Sequence, residues 1–369
     1  MSSNSADVAS LGDKSWATIH KILDAALDAD ATQADVLEVG LHAVQFLVES
    51  HIVAPPTSRS SEQDERAEPA ARIVLRIPSS AADDRERIQA LVDDIPADIE
   101  RRTGFRPQPV TVMPDPELEA PVIAFDDMPM RDTTMDDDDA YAAVTAVYTE
   151  VLPELLDREK TAEIVDIARR TSPMVVQELV PNSLSLGQLR QILRNLLAEG
   201  VPIRRMSTIL NALADNSVYT KDPYALTEHV RAALGREICA RFQSPEGAIK
   251  AFMLGSDAER AIQNSIQLNE TGQVLMLDPN TSHAIHNNLA DAIRRHQDKL
   301  VVPVIVTPPK IRRHVASMLE RNFSQIVVLS HSEIVRGVAV DELDVVGADW
   351  FGESVDGTDG QDGDSWLDG

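Results

Sequence analysis

The stretch "SLSLGQLRQILRNLLAEG", ending at Gly200, specifies both ends of one helix and so limits what the surrounding chain can become. Ser185 with Gln188 three positions later forms a capping box, in which side chains answer the orphan amides of the first turn. Leu184 and Leu189 form the hydrophobic staple, and Gly200 stands where a left-handed residue ends a helix. Two more helices are expected after it. Pro202 is placed for the first turn of one that carries Ile203, Met206, Ile209, Leu210 and Leu213, with a stop after Asp215. In "KDPYALTEHVRAALGREICARF" Asp222 caps, Pro223 takes the first helical position, and Leu226, Val230, Leu234, Ile238 and Phe242 repeat at i+4 as one buried stripe. Gly235 costs about 1 kcal/mol against alanine inside a helix, which predicts that another helix passes close to it. On that reading leucine at 235 overpacks and alanine is mild or neutral. Successive helices with one apolar face each must bury those faces on one another, so an all-helical subdomain is expected over residues 133–243.

The flanks read differently. Upstream, Tyr141 to Ala168 is helical with a break near Pro153. The acids Asp136 to Asp139 lack the glycine and distal glutamate of a calcium loop and fit the positive end of that helix. "RIVLRI" alternates as a strand, a helix interrupted at Pro96 runs to Gly104, and "PQPVTVM" and "PVIAFDD" supply two more strands, so residues 71–132 form a small α/β unit. Downstream, residues 244–340 read as a β-α-β-α-β unit built from "GQVLMLDP", "NTSHAIHNNLADAIRRHQDKL", "VVPVIVTPP", "KIRRHVASMLERN" and "QIVVLS". The fold class expected is α+β with several subdomains. At the termini, residues 1–53 predict a helical hairpin, 54–70 a disordered linker without bulky apolar groups, and 341–369 an acidic disordered tail without Lys or Arg.

Charge and chemistry narrow the function. With 34 Lys and Arg against 60 Asp and Glu, the net charge is −26, which repels phosphate backbones, so no nucleic-acid partner is expected. No stretch approaches the roughly 18 apolar residues of a membrane span, so no direct membrane insertion is expected. Cys239 is the only cysteine, which excludes an intrachain disulfide and favours a cytoplasmic setting. Catalytic chemistry finds no motif. His283 and His286, with His296 farther along, have helical spacing but no acidic third ligand, and surface histidines are common. Ser330 and His331 are adjacent and so face opposite sides of a strand. "LNETGQV" and "MLGSD" lack the paired glycines and lysine of a phosphate loop, and Cys239 sits on the buried stripe as a small apolar group. No catalytic residue, cofactor or metal is expected. A pocket with convergent polar groups would revive an enzyme reading, and a flat helical face would not.

The linked segments "ELVP", "LSLG", "LLAEGV", "TILNALAD", "TKDP" and "LGREIC", continued by "PVIVTPPKIRRHVASMLERNFSQIVVLSHSEI", resemble the cytoplasmic domain of the FHIPEP family, the export-gate proteins of flagellar and virulence type III secretion. The resemblance covers about Tyr141 to Ile334. It implies a homo-oligomeric ring built largely through the helical subdomain, a docking platform below a membrane channel, and export-apparatus components or other proteins as partners. The family's membrane region is expected to be missing here, and its first cytoplasmic subdomain to be reduced. By the same resemblance Arg204 and Arg205, in "VPIRRMSTIL", are candidates for an oligomer interface, pairing with acids of a neighbouring copy; as isolated surface charges they are solvated. A stand-alone cytosolic adaptor, without the export role, is the alternative.

Overall fold

Alternating side chains at Ile73, Leu75 and Ile77 are buried while Val74 and Arg76 between them are only partly so, which seats the strand β1 (Ile73–Pro78) on a core through one face. The computed structural model describes residues 72–269, 272–300, 302–323 and 325–347. The expected N-terminal helical hairpin, the linker and residues 348–369 of the tail lie outside them. After β1 come α1 (Arg85–Val92) and α2 (Ile95–Thr103), then β2 (Thr111–Asp115), β3 (Val122–Phe125) and β4 (Met128–Asp132). The sheet has the order β2-β1-β3-β4, with β1 parallel to β2 and the other pairs antiparallel. β4 was not expected: all five of its residues are exposed, so it carries no alternation. Its signal lies in the turn, where Asp126 and Asp127 both take positive φ, as a tight two-residue hairpin requires.

The helical subdomain runs through α3 (Asp137–Leu155), α4 (Arg158–Thr171), α5 (Pro173–Glu178), α6 (Leu186–Ala198), α7 (Met206–Asn216), α8 (Pro223–Ala233) and α9 (Gly235–Phe242). Its caps follow the residues. Asp136 accepts from the amides of Asp138 and Asp139, Ser185 and Gln188 close their capping box, and Asp222 accepts from Tyr224 and Ala225. Gly200 is left-handed at φ +66°. Pro202 does not start a helix: α7 begins at Met206, and residues 201–205 are irregular because Ile203 donates its amide to Thr103 on the end of α2, 2.7 Å away.

The long helix expected from Pro223 to Phe242 is two, broken at Leu234. Gly235 does meet a close neighbour, but not another helix. A Cβ placed there would lie 2.5 Å from the carbonyl oxygen of Glu333 and 3.0 Å from Val335 Cγ1. What passes is the chain following a strand of the next subdomain, and its backbone cannot yield as a side chain tip can.

That subdomain contains β5 (Ala248–Leu254), α10 (Ser256–Asn264), the hairpin β6 (Ile266–Asn269) and β7 (Gly272–Leu275), α11 (Pro279–His296), β8 (Val304–Thr307), α12 (Pro309–Leu319), β9 (Val327–Ser330) and β10 (Ala339–Val346). The main sheet is parallel throughout, in the order β10-β5-β8-β9. The α/β character holds, with two corrections. "GQVL" is not the first strand of the parallel unit but half of the separate hairpin. The true first strand, β5, is apolar on both faces apart from Lys250, so it shows no period of two. The acidic tail does not begin at Asp341, because residues to Val346 form the edge strand β10. Its Asp341 and Glu342 lie in a mostly exposed edge, where charge blocks further strand pairing.

Both faces of this sheet are buried. Phe252, Ile305 and Val328 point to α10, α11 and α12, while Ile249, Ala251, Val304, Val306 and Leu329 join the core of the helical subdomain. The helical subdomain is thus one covering layer of the sheet. Because Gly235 lies at this contact, Gly235→Ala is expected to cost roughly 1–3 kcal/mol through overpacking, although alanine is the better helix former. Urea unfolding of the variant measures it; a neutral or stabilised alanine variant would show that the 331–338 segment can move aside.

Candidate functional site

Where the helical layer meets the parallel sheet, two buried arginines and one buried glutamate meet two further glutamates, Glu199 and Glu228, whose side chains are partly exposed. Arg231 on α8 and Arg312 on α12 are 2% and 1% exposed, and Glu333, just after β9, is fully buried. Arg231 sends Nη2 to Glu333 at 2.8 Å, Nε to the same carboxylate at 3.2 Å and Nη1 to Glu199 at 2.7 Å. Arg312 sends Nε to Glu228 at 2.7 Å and Nη2 to Glu199 at 2.9 Å. Glu333 also accepts from the Ser330 hydroxyl at 3.0 Å. These groups come from the end of α6, from α8, from α12 and from the turn after β9, so the network spans both subdomains.

Glu199 and Glu228 answer differently to their burial. For Glu199 burial would raise the pKa, but the charges of Arg231 and Arg312 outweigh it and hold the carboxyl below its ordinary value. For Glu228 burial wins over the bonds from Arg312, and the pKa is raised. Burial would lower the pKa of Arg312, yet Glu199 and Glu228 overcome it and keep the guanidinium charged. Like charges this close push their acidities apart.

Beside the network opens a cleft of about 970 Å³, walled by α8 on one side and by α12 and the β6–β7 hairpin on the other. Tyr224 lies under the Arg313 guanidinium at 4.8 Å, and Arg313 donates to the Gln273 carbonyl at 3.2 Å. Polar groups do converge here, the condition that would revive an enzyme reading. The acids there are paired with the guanidinium groups, and the Thr227 hydroxyl donates to the Pro223 carbonyl at 2.7 Å. Such an arrangement binds subdomains together.

The residues singled out in the sequence fall elsewhere. Arg204 and Arg205 are not on a helix but in the 201–205 segment, 2.6 and 3.3 Å from Glu237 of the same chain. His283 is exposed, His286 Nδ1 lies 2.7 Å from the Ser282 carbonyl, and His296 faces Asp344 at 3.6 Å. Among the described residues no set of three or more His, Cys, Asp or Glu side chains is arranged to hold a metal. Ser330 is buried against Glu333, His331 is exposed, and the Cys239 thiol donates to the Glu333 carbonyl at 3.2 Å. The five network residues were missed because their partners are about 20 to more than 100 positions apart. Only the placement of Arg231 and Arg312 beside apolar helix positions hinted at burial.

His314, next to this network on α12, is 6% exposed. Its Nε2 has no hydrogen-bond partner among the described residues. Burial first, then the charges of Arg313 and Arg312, push it down to about 4. The unfolded chain takes up a proton at this position below the ordinary value of about 6.5, whereas the fold does not until about 4. The resulting stability is fully present above that ordinary value and is lost as pH falls towards the folded value, at about 1.4 kcal/mol per unit. His314→Gln is expected to remove this slope between pH of about 6.5 and about 5. Urea midpoints against pH measure it, and an unchanged slope would show that His314 titrates alike in both states.

Residues 128–339 match the family model described as the FHIPEP family. A flagellar biosynthesis protein FlhA of Bacillus subtilis is 33% identical over 193 residues, 52% of this chain and 28% of the relative. FlhA of Proteus mirabilis is 30% identical over 63% of this chain and 34% of its own length. The MxiA protein of Shigella flexneri is 27% identical over 57% and 30%. The chain therefore spans about a third or less of the relatives it matches. Among solved structures, the nonameric SctV-C from EPEC superposes with a TM-score of 0.66 at 22% identity, over 77% of this chain and all of that one. CdsV of Chlamydia pneumoniae, in complex with CdsO, gives 0.66 at 18% over 74% and 97%. Among the described residues no helix is long and apolar enough to cross a membrane. With more than half of its length matched by the family model, the chain belongs to the FHIPEP family.

Proposed function

We propose that the chain is a non-enzymatic assembly and docking module of a type III secretion export gate, working in protein transport. The observation that carries this reading is the buried network of Arg231, Arg312, Glu199, Glu228 and Glu333. It joins the helical and C-terminal subdomains into one body and leaves its polar groups committed to one another. A rigid body with its charges consumed internally suits a platform. The fold supports it as well, since SctV-C is described as nonameric and CdsV is described in complex with CdsO.

On this reading the module forms a homo-oligomer through its helical subdomain and engages other export components, working in the cytoplasm and held at the cytoplasmic face of the membrane through partners. Arg204 and Arg205 contribute to the contact. Both are well exposed, 48% and 67% of their side chains, and one carboxylate, Glu237, serves both. An acid of a neighbouring copy finds a surplus of positive charge there.

Copies that each carry −26 repel at low salt, and screening shortens that repulsion to about 10 Å at 0.1 M. The chain is expected to be monomeric in dilute, low-salt buffer and to self-associate at high protein concentration in moderate salt. Arg204→Glu with Arg205→Glu weakens the association and leaves helix content unchanged. Sedimentation velocity across salt and concentration, with circular dichroism of the variant, reads both. A chain that stays monomeric throughout favours the stand-alone adaptor instead.

A further inference from the structure

The arginines around Glu237 form a basic patch on an otherwise acidic chain, drawn from three separate elements. Gly104 ends α2 at φ +80°, and a Cβ there would lie 2.5 Å from the Arg204 amide nitrogen, so only glycine lets the 201–205 segment lie on the end of α2. Arg204 then donates to the Arg101 carbonyl at 3.1 Å and reaches Glu237 on α9. Arg241, one turn along α9, donates to the Gly200 carbonyl. Burial lowers the Arg241 pKa; Glu237 opposes this, and the charges of Arg204 and Arg231 add to it. Arg101 and Arg102 occupy the last turn of α2, with Arg101 already held by Asp98. Two guanidinium groups, those of Arg204 and Arg205, thus share one carboxylate that is itself only 13% exposed, with Arg241 close by.

The same chain carries a matching counter-charge. From Asp349 to Asp368 an acid recurs every two to four residues, with no Lys or Arg, and Trp350 and Trp366 stand among them. We propose that this acidic stretch, residues 348–369, docks on the Arg204–Arg205–Arg241 patch of its own chain. Carboxylates pair with guanidinium forks, and indole faces stack on guanidinium planes. Reach allows it. The stretch departs beside Val346, which pairs with Leu254 at the far end of β5, while α9 ends next to the start of β5. The seven residues of β5 span roughly 20 Å, and an extended stretch of the tail's length reaches on the order of 70 Å. Attachment in the same chain holds the acids at an effective concentration in the millimolar range, above that of a second copy in dilute solution.

The consequence rests on the assembly reading above: the tail and a neighbour's acids compete for one patch, so the tail restrains association until something displaces it. The docking itself is tested separately, on the monomer. In ¹⁵N-labelled full chain at low salt, the tail amide signals are expected to move when salt is raised. That movement is lost in Arg204→Glu/Arg205→Glu/Arg241→Glu, and equally in Asp356→Asn/Asp359→Asn/Asp362→Asn, which lies outside the described fold and guards against a misfolded arginine variant. Tail signals that are the same in wild type and both variants would overturn the proposal. So would a movement that vanishes on dilution, because it would place the contact between copies. If docking is seen and a chain truncated after Gly347 associates no more readily than the full chain, docking stands and the restraint on association fails; if both chains stay monomeric throughout, docking stands and the assembly reading fails.

Discussion

Two guanidinium groups taken out of water, Arg231 and Arg312, determine how the two larger subdomains meet. Moving such charges inside costs several kcal/mol each, and the loss is recovered only where geometry supplies enough carboxylate oxygens. Here Glu199, Glu228 and Glu333 supply them from three directions. Neither arginine can leave without stranding the others, so α8 and α12 are fixed relative to each other. Apolar contacts alone, which are not directional, would allow the helical layer to slide over the sheet. Gly235 and Glu333 reinforce the register from the other side, since the Glu333 backbone passes where a Cβ would stand and its carbonyl receives the Cys239 thiol.

What was legible in the sequence was local. The caps at Asp136, Ser185 and Asp222 and the left-handed Gly200 all rest on residues a few positions apart, and each stands in the structure as read. The failures share another cause. Pro202 carries a helix-start signal, yet the contact of Ile203 with Thr103 takes that segment out of helical geometry. β5 hid because a strand buried on both faces looks like any apolar run. β10 hid because an edge strand with acids looks like a solvated tail. For Gly235 the sequence announced a close approach but could not say by what. The ion network was invisible for the plainest reason: Arg312 and Glu199 are 113 positions apart.

The charge distribution connects fold to assembly. A net −26 is compatible with a platform only if the repulsion is managed locally. The network keeps Arg231, Arg312 and Glu333 out of solvent, the edge strand β10 carries acids at the surface, and the patch around Glu237 concentrates positive charge on exposed side chains. On the reading proposed above, acidic surfaces of other molecules land on this patch. On the same reading, the module recruits through electrostatics at the rim and keeps its shape through electrostatics inside.

The central claim is that the network makes the helical and C-terminal subdomains one cooperative unit. Native-state hydrogen exchange tests it most directly, by comparing amides of α8 with those of β8 as denaturant is raised. One opening free energy shared by both is expected in the wild type. In Arg312→Ala, where three carboxylates are left with one guanidinium, the two should separate, with β8 opening at roughly 3–5 kcal/mol less. Distinct opening energies in the wild type, or a variant in which both elements stay protected as before, would contradict the account.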